Sequence, residues 1–353
     1  MVSRSDRGIV VARKNLARMR RSPLRQSRLL EVLESRVLLT TFTVTDLSDG
    51  GAINTLRWAI GQANGNAGPD VIAFSKAGAI KLTSSLPAIT EDVQINPSPG
   101  TKAVTVDGNS LYSIFSIEGG SLTVSISGMT LMNAFSATGG SALTIDNDGG
   151  TVAIDHLTIT KSKSQGIGEI RGGAVQIVSG RVTITQSTIS SSTALSTDES
   201  AQGGGIFNAG NLTISGSLVT SNIASGATFA KGGGIFNAEE AILTVVNSVI
   251  SKNSATGKKG SNGANGTNGN NGNKGNVNED GNGGEGTEGQ EGDNGTDGGE
   301  AMGGGIYTDG EFTLVSSTVS GNTALGGNGG NGGNGGNGGN GGNGGNGGDG
   351  AAE

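Results

Sequence analysis

The chain has 353 residues, of which 68 are glycine, five are proline and none is cysteine, and aromatic residues make up only 3%. Without cysteine there is no disulfide framework, thiolate metal site or cysteine nucleophile, and a single histidine, His156, excludes histidine-rich metal centres. Charge is split: residues 1–40 hold ten Lys/Arg against three Asp/Glu, a net of +7 within a total of −7, so residues 41–353 carry −14.

An acidic body of that size argues against nucleic acid as the main partner, because phosphate binding needs clustered Lys and Arg. No apolar run approaches the length that a membrane-spanning helix needs. Residues 1–40 read as a basic targeting segment or solvated tail, and their apolar runs (Ile9–Ala12, Val37–Leu39) are too short for a conventional signal peptide. The string LLEVLESRVLLT at 29–40 resembles the LEPR-XLL segment of large exported bacterial proteins. Glu34, Arg36, Leu38 and Leu39 match, and Ser35 stands where that segment has proline. A short amphipathic helix without special role is the alternative.

Residues 41–120 read as a cap with the first coils. FTVTDLSDGGAINTLRWAIGQANGNAGPDVIAF (42–74) opens as a strand and then turns helical, since Leu56, Ala59, Ile60 and Ala63 fall at i, i+3, i+4 and i+7. Asn54 is the expected N-cap, and Gly65 lies just past the end. The segment resembles the leader of bacterial β-helix proteins, with Leu56, Arg57, Ala59, Ile60, Ala63, Asn64, Asp70, Ile72 and Phe74 at matching positions. Arg57 is expected to pair with Asp46, Asp49 or Asp70.

Residues 121–256, with 301–325, carry a repeat. GGGIFN at 203–208 and 232–237 and GGGIYT at 303–308 are each followed by alternating β-branched stretches, such as LTISGSLVTSN from 212 and LTVVNSVISKN from 243. A period of about 30 residues with several short strands per unit predicts a parallel β-solenoid, because no unit can bury a core alone. Asn133, Asn222, Asn253 and Asn322 fall where one strand turns into the next. They are expected to take left-handed backbone and to bond their copies in the next coil as a structural ladder without ligand. The pattern resembles right-handed parallel β-helices of the pectate-lyase-like group, in particular polymorphic outer-membrane proteins and adhesins with GGAI-type repeats. That resemblance implies an all-β right-handed parallel β-helix exported to the cell surface or outer membrane, with carbohydrate or cell-surface components as partners.

β-Helices that act on polysaccharides use clustered carboxylates beside Lys or Arg. The nearest equivalent here is Asp146, Asp148, Asp155 and His156 with Glu169 and Arg171, expected close together if they stack on adjacent rungs. Asp146 and Asp148 sit in the turn-type string IDNDGG, which favours a backbone role. The expected protein is therefore not an enzyme and holds no cofactor, calcium at Asp349 or in the acidic tract being a weak candidate. The G-x-G-x-x-G strings of the tail follow no strand–helix unit and predict no nucleotide site.

The remaining glycines lie in two tracts, 257–300 with 16 and 326–353 with 17. Glycine recurs every third residue, but no proline follows Pro99, so a collagen triple helix is not expected. Flexible linkers are one reading. Extended three-fold rods packed side by side with asparagine outward are the other, since both tracts leave the same position of the repeat. The ending AAE stands where the next GGGI would begin, which predicts a fragment of a longer solenoid.

Overall fold

A computed structural model describes residues 39–100, 103–273 and 284–343. The LEPR-XLL-like string (apart from its last two residues) and Asp349 lie outside them. Alternation of apolar and polar side chains sets the architecture. In one coil the strands Asn211–Ser215, Leu218–Thr220, Ile223–Gly226, Phe229–Lys231 and Ile235–Asn237 follow one another around a closed circuit. Leu212, Ile214, Val219, Ala224, Ala230 and Ile235 point inward and are buried. Each strand pairs in parallel with its counterpart one coil on, as in Leu212 with Leu243 and Ile214 with Val245. Repetition builds five sheets of nine, eight, six, four and six strands, numbered 1 to 5 in the order of that coil.

The result is a parallel β-solenoid of about seven turns. In sheet 1, from Val124 to Leu243, successive coils are offset by 28 to 31 residues. Equivalent side chains therefore form rows along the axis, such as Val124, Val152, Val182, Leu212 and Leu243, all buried. Burial of each such side chain is worth about 1.5–3 kcal/mol. The insertion after Gly257 leaves the register intact, because Ser254 pairs with Thr323 and Phe229 with Glu300.

The corners follow a fixed recipe. After sheet 1 one residue takes left-handed backbone, His156 (φ 52°), Gln186 (44°) or Gly216 (58°) in successive coils. After sheet 2 the left-handed residue is Asn133 (50°), Ser221 (58°) or Lys252 (56°). This corrects one expectation. Asn133 occupies that left-handed position, whereas Asn222, Asn253 and Asn322 stand one residue later, with ordinary backbone. The two roles assigned jointly to these asparagines belong to neighbouring positions.

At the amino end the helix Leu56–Asn64 lies beside the strands Thr40–Val44 and Asp70–Phe74 and buries Leu56, Ala59, Ile60 and Ala63. Its N-cap is Thr55, whose hydroxyl accepts from the Trp58 N–H at 3.3 Å. The expected cap, Asn54, instead takes left-handed backbone (φ 67°), and its carbonyl accepts the N–H groups of Thr45 and Asp46. The shift of one residue reflects which side chain can reach back into the first turn.

The glycine tracts are ordered as a bundle of three arms: 258–273, the returning 284–299, and the tail 326–342. The first arm donates backbone hydrogen bonds to the tail (Gly263 N–H to Asn331 O), the tail to the returning arm (Gly333 to Asp293), and that arm to the first (Asp293 to Ala264). This cycle repeats every third residue, the period of a polyproline II helix. One glycine per triplet faces the bundle centre, and a Cβ at Gly263, Gly295 or Gly333 would collide with a neighbouring carbonyl. The asparagines of the first arm do not simply face outward. Asn262, Asn265, Asn268 and Asn271 accept the N–H groups of Asn331, Asn334, Asn337 and Asn340 at 2.8–3.0 Å.

Candidate functional site

The predicted carboxylates do not converge. Asp146 and Asp148 end a strand of sheet 5, Leu143–Asp148, while Asp155 ends the next strand, Thr151–Asp155 of sheet 1. That second strand separates them by roughly 13 Å of extended chain. Asp146 accepts from Ser179 at 2.7 Å, and Asp148 borders a shallow hollow of about 230 Å³ beside Gly150, Arg181 and Asn211. Arg171 lies elsewhere again, in sheet 4, bonded to Glu169 and stacked 5.2 Å from the Phe207 ring centre. The expectation of one cluster on adjacent rungs is overturned, because coil stacking aligns equivalent positions and these residues are not equivalent.

Asp155 and His156 do meet. The left-handed corner turns the imidazole back, so that His156 Nδ1 lies 2.6 Å from Asp155 Oδ2, and the Thr185 hydroxyl of the next coil bonds the other carboxylate oxygen. The Thr185 bond, then the imidazole, hold the Asp155 carboxyl below its ordinary range. Coil by coil, Asn96, Ser127 and Asp155 form an outward column, and Pro97, Gly128 and His156 the next. Because Gly128 has no side chain, an open hollow of about 370 Å³ remains, also bordered by Ser98. The arrangement offers hydroxyl, amide, carboxylate and imidazole groups to a polar ligand. Among the described residues no group of three or more His, Cys, Asp or Glu is placed to hold a metal ion.

In the cap, Arg57 pairs with Asp49 (2.8 Å) and bonds the carbonyls of Ser84 and Ser85. Burial raises the Asp49 carboxyl, but the Arg57 bonds and the Thr83 N–H outweigh it, and the net shift is downward. Asp46 turns to Ser48 N–H instead. Asp70 is fully buried, with Oδ1 accepting from Asn66 and Thr40, and Oδ2 has no hydrogen-bond partner among the described residues. These groups tie helix, turn and first strands together, so Arg57 acts inside the cap.

The most regular polar chemistry is inside the coil. Asn253 Oδ1 accepts both Asn222 N–H groups, backbone and side chain, at 2.9 and 3.0 Å, and Asn322 serves Asn253 in the same way. Each side chain also donates to a strand carbonyl, that of Ile189, Val219 or Ile250. Ser192 continues the column by donating its N–H to Asn222. The third glycine of each GGGI leaves room for this amide: a Cβ at Gly234 would lie 2.9 Å from Asn253 Nδ2. Two further ladders escaped the sequence reading. Ser187, Ser217, Ser248 and Ser317 accept each preceding coil's N–H, and Asn208 of GGGIFN donates to Asn237 at 2.7 Å. Their signal was the recurrent serine before the last four strands of sheet 2 and the invariant place of asparagine in the two GGGIFN copies. The aromatic residues of the same motif stack from coil to coil, Phe207 on Phe236 at 5.3 Å and Phe236 on Tyr307 at 5.4 Å, and both phenylalanines are buried. No protein-family model, curated protein or solved structure matches the chain.

Proposed function

We propose that this chain is a non-catalytic structural β-solenoid exported to the bacterial cell surface, which carries the glycine bundle as a lateral arm. The observation that supports this reading most is the cyclic hydrogen bonding of three glycine arms that leave two adjacent coils at the same corner. An arm of 16 residues at the polyproline II rise reaches roughly 50 Å. Among the described residues it has no apolar core, its non-glycine residues beyond Lys258 are exposed, and its returning strand bears Glu285, Glu288 and Glu291 in line. Such an arm extends the contact surface of a rod at little cost in hydrophobic residues. The absence of cysteine suits a scaffold indifferent to redox compartment.

An epitope-tagged chain expressed in a bacterial host is expected in the outer-membrane or extracellular fraction and degraded by protease added to intact cells. Quantitative retention in the cytoplasm would refute export. A second reading, polysaccharide binding or cleavage, rests on the hollow at Asn96, Ser127, Asp155 and His156. Its test is depolymerisation of neutral and acidic polysaccharides by the wild type and by Asp155→Asn. Cleavage lost in the variant replaces the structural reading with the catalytic one.

A further inference from the structure

An Asn–Gly pair is chemically weak, because glycine has no side chain to keep its backbone nitrogen away from the preceding side-chain amide. The bundle repeats that pair, and its three arms hold it differently. In the first arm Asn262–Gly263 is held twice. The Gly263 N–H donates to Asn331 O, and Asn262 Oδ1 accepts the Asn331 N–H at 3.0 Å. Asn265, Asn268 and Asn271 repeat both bonds with the glycines that follow them. In the tail the glycine N–H has no partner among the described residues, but the carbonyl of the same peptide unit is held, as Asn331 O is by Gly263. Outside the bundle Asn64–Gly65 is fixed as well. The Gly65 N–H donates to Gln62 O, and the Asn64 amide bonds Ala88 O and the Thr90 N–H.

The returning arm differs because it runs antiparallel to the other two. Its backbone donors fall on the residue after each central glycine, such as Asp293 and Thr296, and the glycine N–H is left over. Among the described residues the Gly295 N–H donates to nothing and the Asn294 carbonyl accepts nothing. The Asn294 side chain is exposed and also makes no hydrogen bond to a described residue. Asn294–Gly295 is thus the one described Asn–Gly pair whose nitrogen, carbonyl and side-chain amide are all unbonded.

We propose that Asn294 is a modification site at which the folded chain deamidates itself. Base in the solvent takes the Gly295 amide proton, and the nitrogen attacks Asn294 Cγ. The new C–N bond closes a five-membered succinimide, and the Cγ–Nδ2 bond breaks as ammonia leaves with a proton from water. Attack requires the peptide unit to turn, which at Asn294 breaks no hydrogen bond. Water then opens the ring at either carbonyl, so the balance is one water consumed, one ammonia released and no oxidation. One product is aspartate, which completes an acidic row of Glu285, Glu288, Glu291, residue 294 and Asp297, with about 9 Å between neighbours. The other is isoaspartate, which adds one backbone atom between Asp293 and Thr296. Those two residues bond Ala264 and Ser261 in register, and with the added atom both bonds cannot keep the three-residue step. The arm ages into a more acidic and looser form.

The full chain, kept in neutral to mildly alkaline buffer, sampled over time, quenched in acid and cut with a glutamate-specific protease, tests this. Peptide 292–300 contains Asn294 as its only asparagine, and fragment-ion sequencing of the other peptides reads the remaining pairs. Asn294 is expected to react first, at least about tenfold faster than the four first-arm pairs, each of which must break two hydrogen bonds. In urea the rates converge, since the unfolded pairs share one chemistry. Asn294→Gln, whose ring closes far more slowly, leaves peptide 292–300 unmodified and melts as the wild type does. A first-arm or described tail pair that reacts ahead of Asn294 overturns the inference. So does a native peptide 292–300 still unmodified when the chain in urea has converted. An equal contrast in urea overturns it too, because the selectivity then lies in the neighbouring residues and not in the bundle.

Discussion

The solenoid and its glycine bundle solve one stacking problem with different material. In the solenoid, backbone pairing is reinforced by rows of buried Ile, Leu and Val and by amides sealed from water. The bundle has neither. Its arms approach because one residue in three has no side chain, and its asparagine ladder runs along an exposed surface. The same contact, an asparagine oxygen accepting the N–H of the next layer, therefore occurs in a dry and a wet setting within one chain. A hydrogen bond's net worth depends on what water offers in exchange. The two regions measure that dependence.

The largest expected difference follows directly. Asn253→Ala strands the Asn222 N–H and the Val219 carbonyl inside the coil, at a cost of about 3–5 kcal/mol. Asn265→Ala removes the matching bond to Asn334 in the bundle and costs about 0.5 kcal/mol or less, since water replaces it. Urea unfolding followed by circular dichroism reads both. Equal losses would mean that burial is not what separates the regions.

Next comes acid. Asp49 is held below its ordinary value of 3.8, so its contribution is fully present above that pH and is lost as pH falls through the lower folded value. Asp49→Asn costs about 2–4 kcal/mol at neutral pH by leaving Arg57 unpaired in the cap. It also flattens the fall in stability below pH 3.8. In the bundle, Glu288 and Glu291 are exposed and make no hydrogen bond to any described residue, so Gln at both leaves thermal unfolding unmoved. A variant Asp49→Asn as acid-sensitive as the wild type would remove the ion pair from this account.

The coil was legible in the sequence because its signals repeat: alternation, a 30-residue period and the GGGI string each state the same geometry many times. The asparagine ladder was half legible. Residue type and recurrence marked Asn222, Asn253 and Asn322, but a one-residue offset separates the left-handed corner from the inward position, and recurrence alone put Asn133 in the wrong column. Thr55 displaced Asn54 as cap for a similar reason, both being good capping residues one step apart. The carboxylate cluster failed more deeply. Nearness along the chain says little in a solenoid, where contact is between positions one full coil apart. Asp155 meets Thr185, 30 residues away, and not Asp148, seven residues away.

Within the bundle the comparison sharpens to single triplets. Gly263→Ala drives a Cβ into the Asp293 carbonyl and is expected to part the first and returning arms there, while the coils, whose pairing does not involve the arms, melt as before. Amide exchange gives the finer reading. In the tail, Gly333 and Asn334 donate hydrogen bonds and Gly332 donates none, so the tail amides should alternate two slow and one fast, and Gly263→Ala should speed the slow ones near Gly333. Uniformly fast exchange from 326 to 342 would show that the arms do not pair.

The smallest expected effect is the most discriminating. Gly338 and Gly339 are neighbours of identical chemistry, yet a Cβ at Gly339 strikes the Asn270 carbonyl and one at Gly338 meets nothing within 4 Å. Gly339→Ala should therefore raise exchange in the adjoining arm, and Gly338→Ala should change neither exchange nor melting. Glycine in a flexible linker is interchangeable with its neighbour. In a three-arm bundle only every third position is bound to be glycine, and this pair of variants separates the two descriptions at one peptide bond.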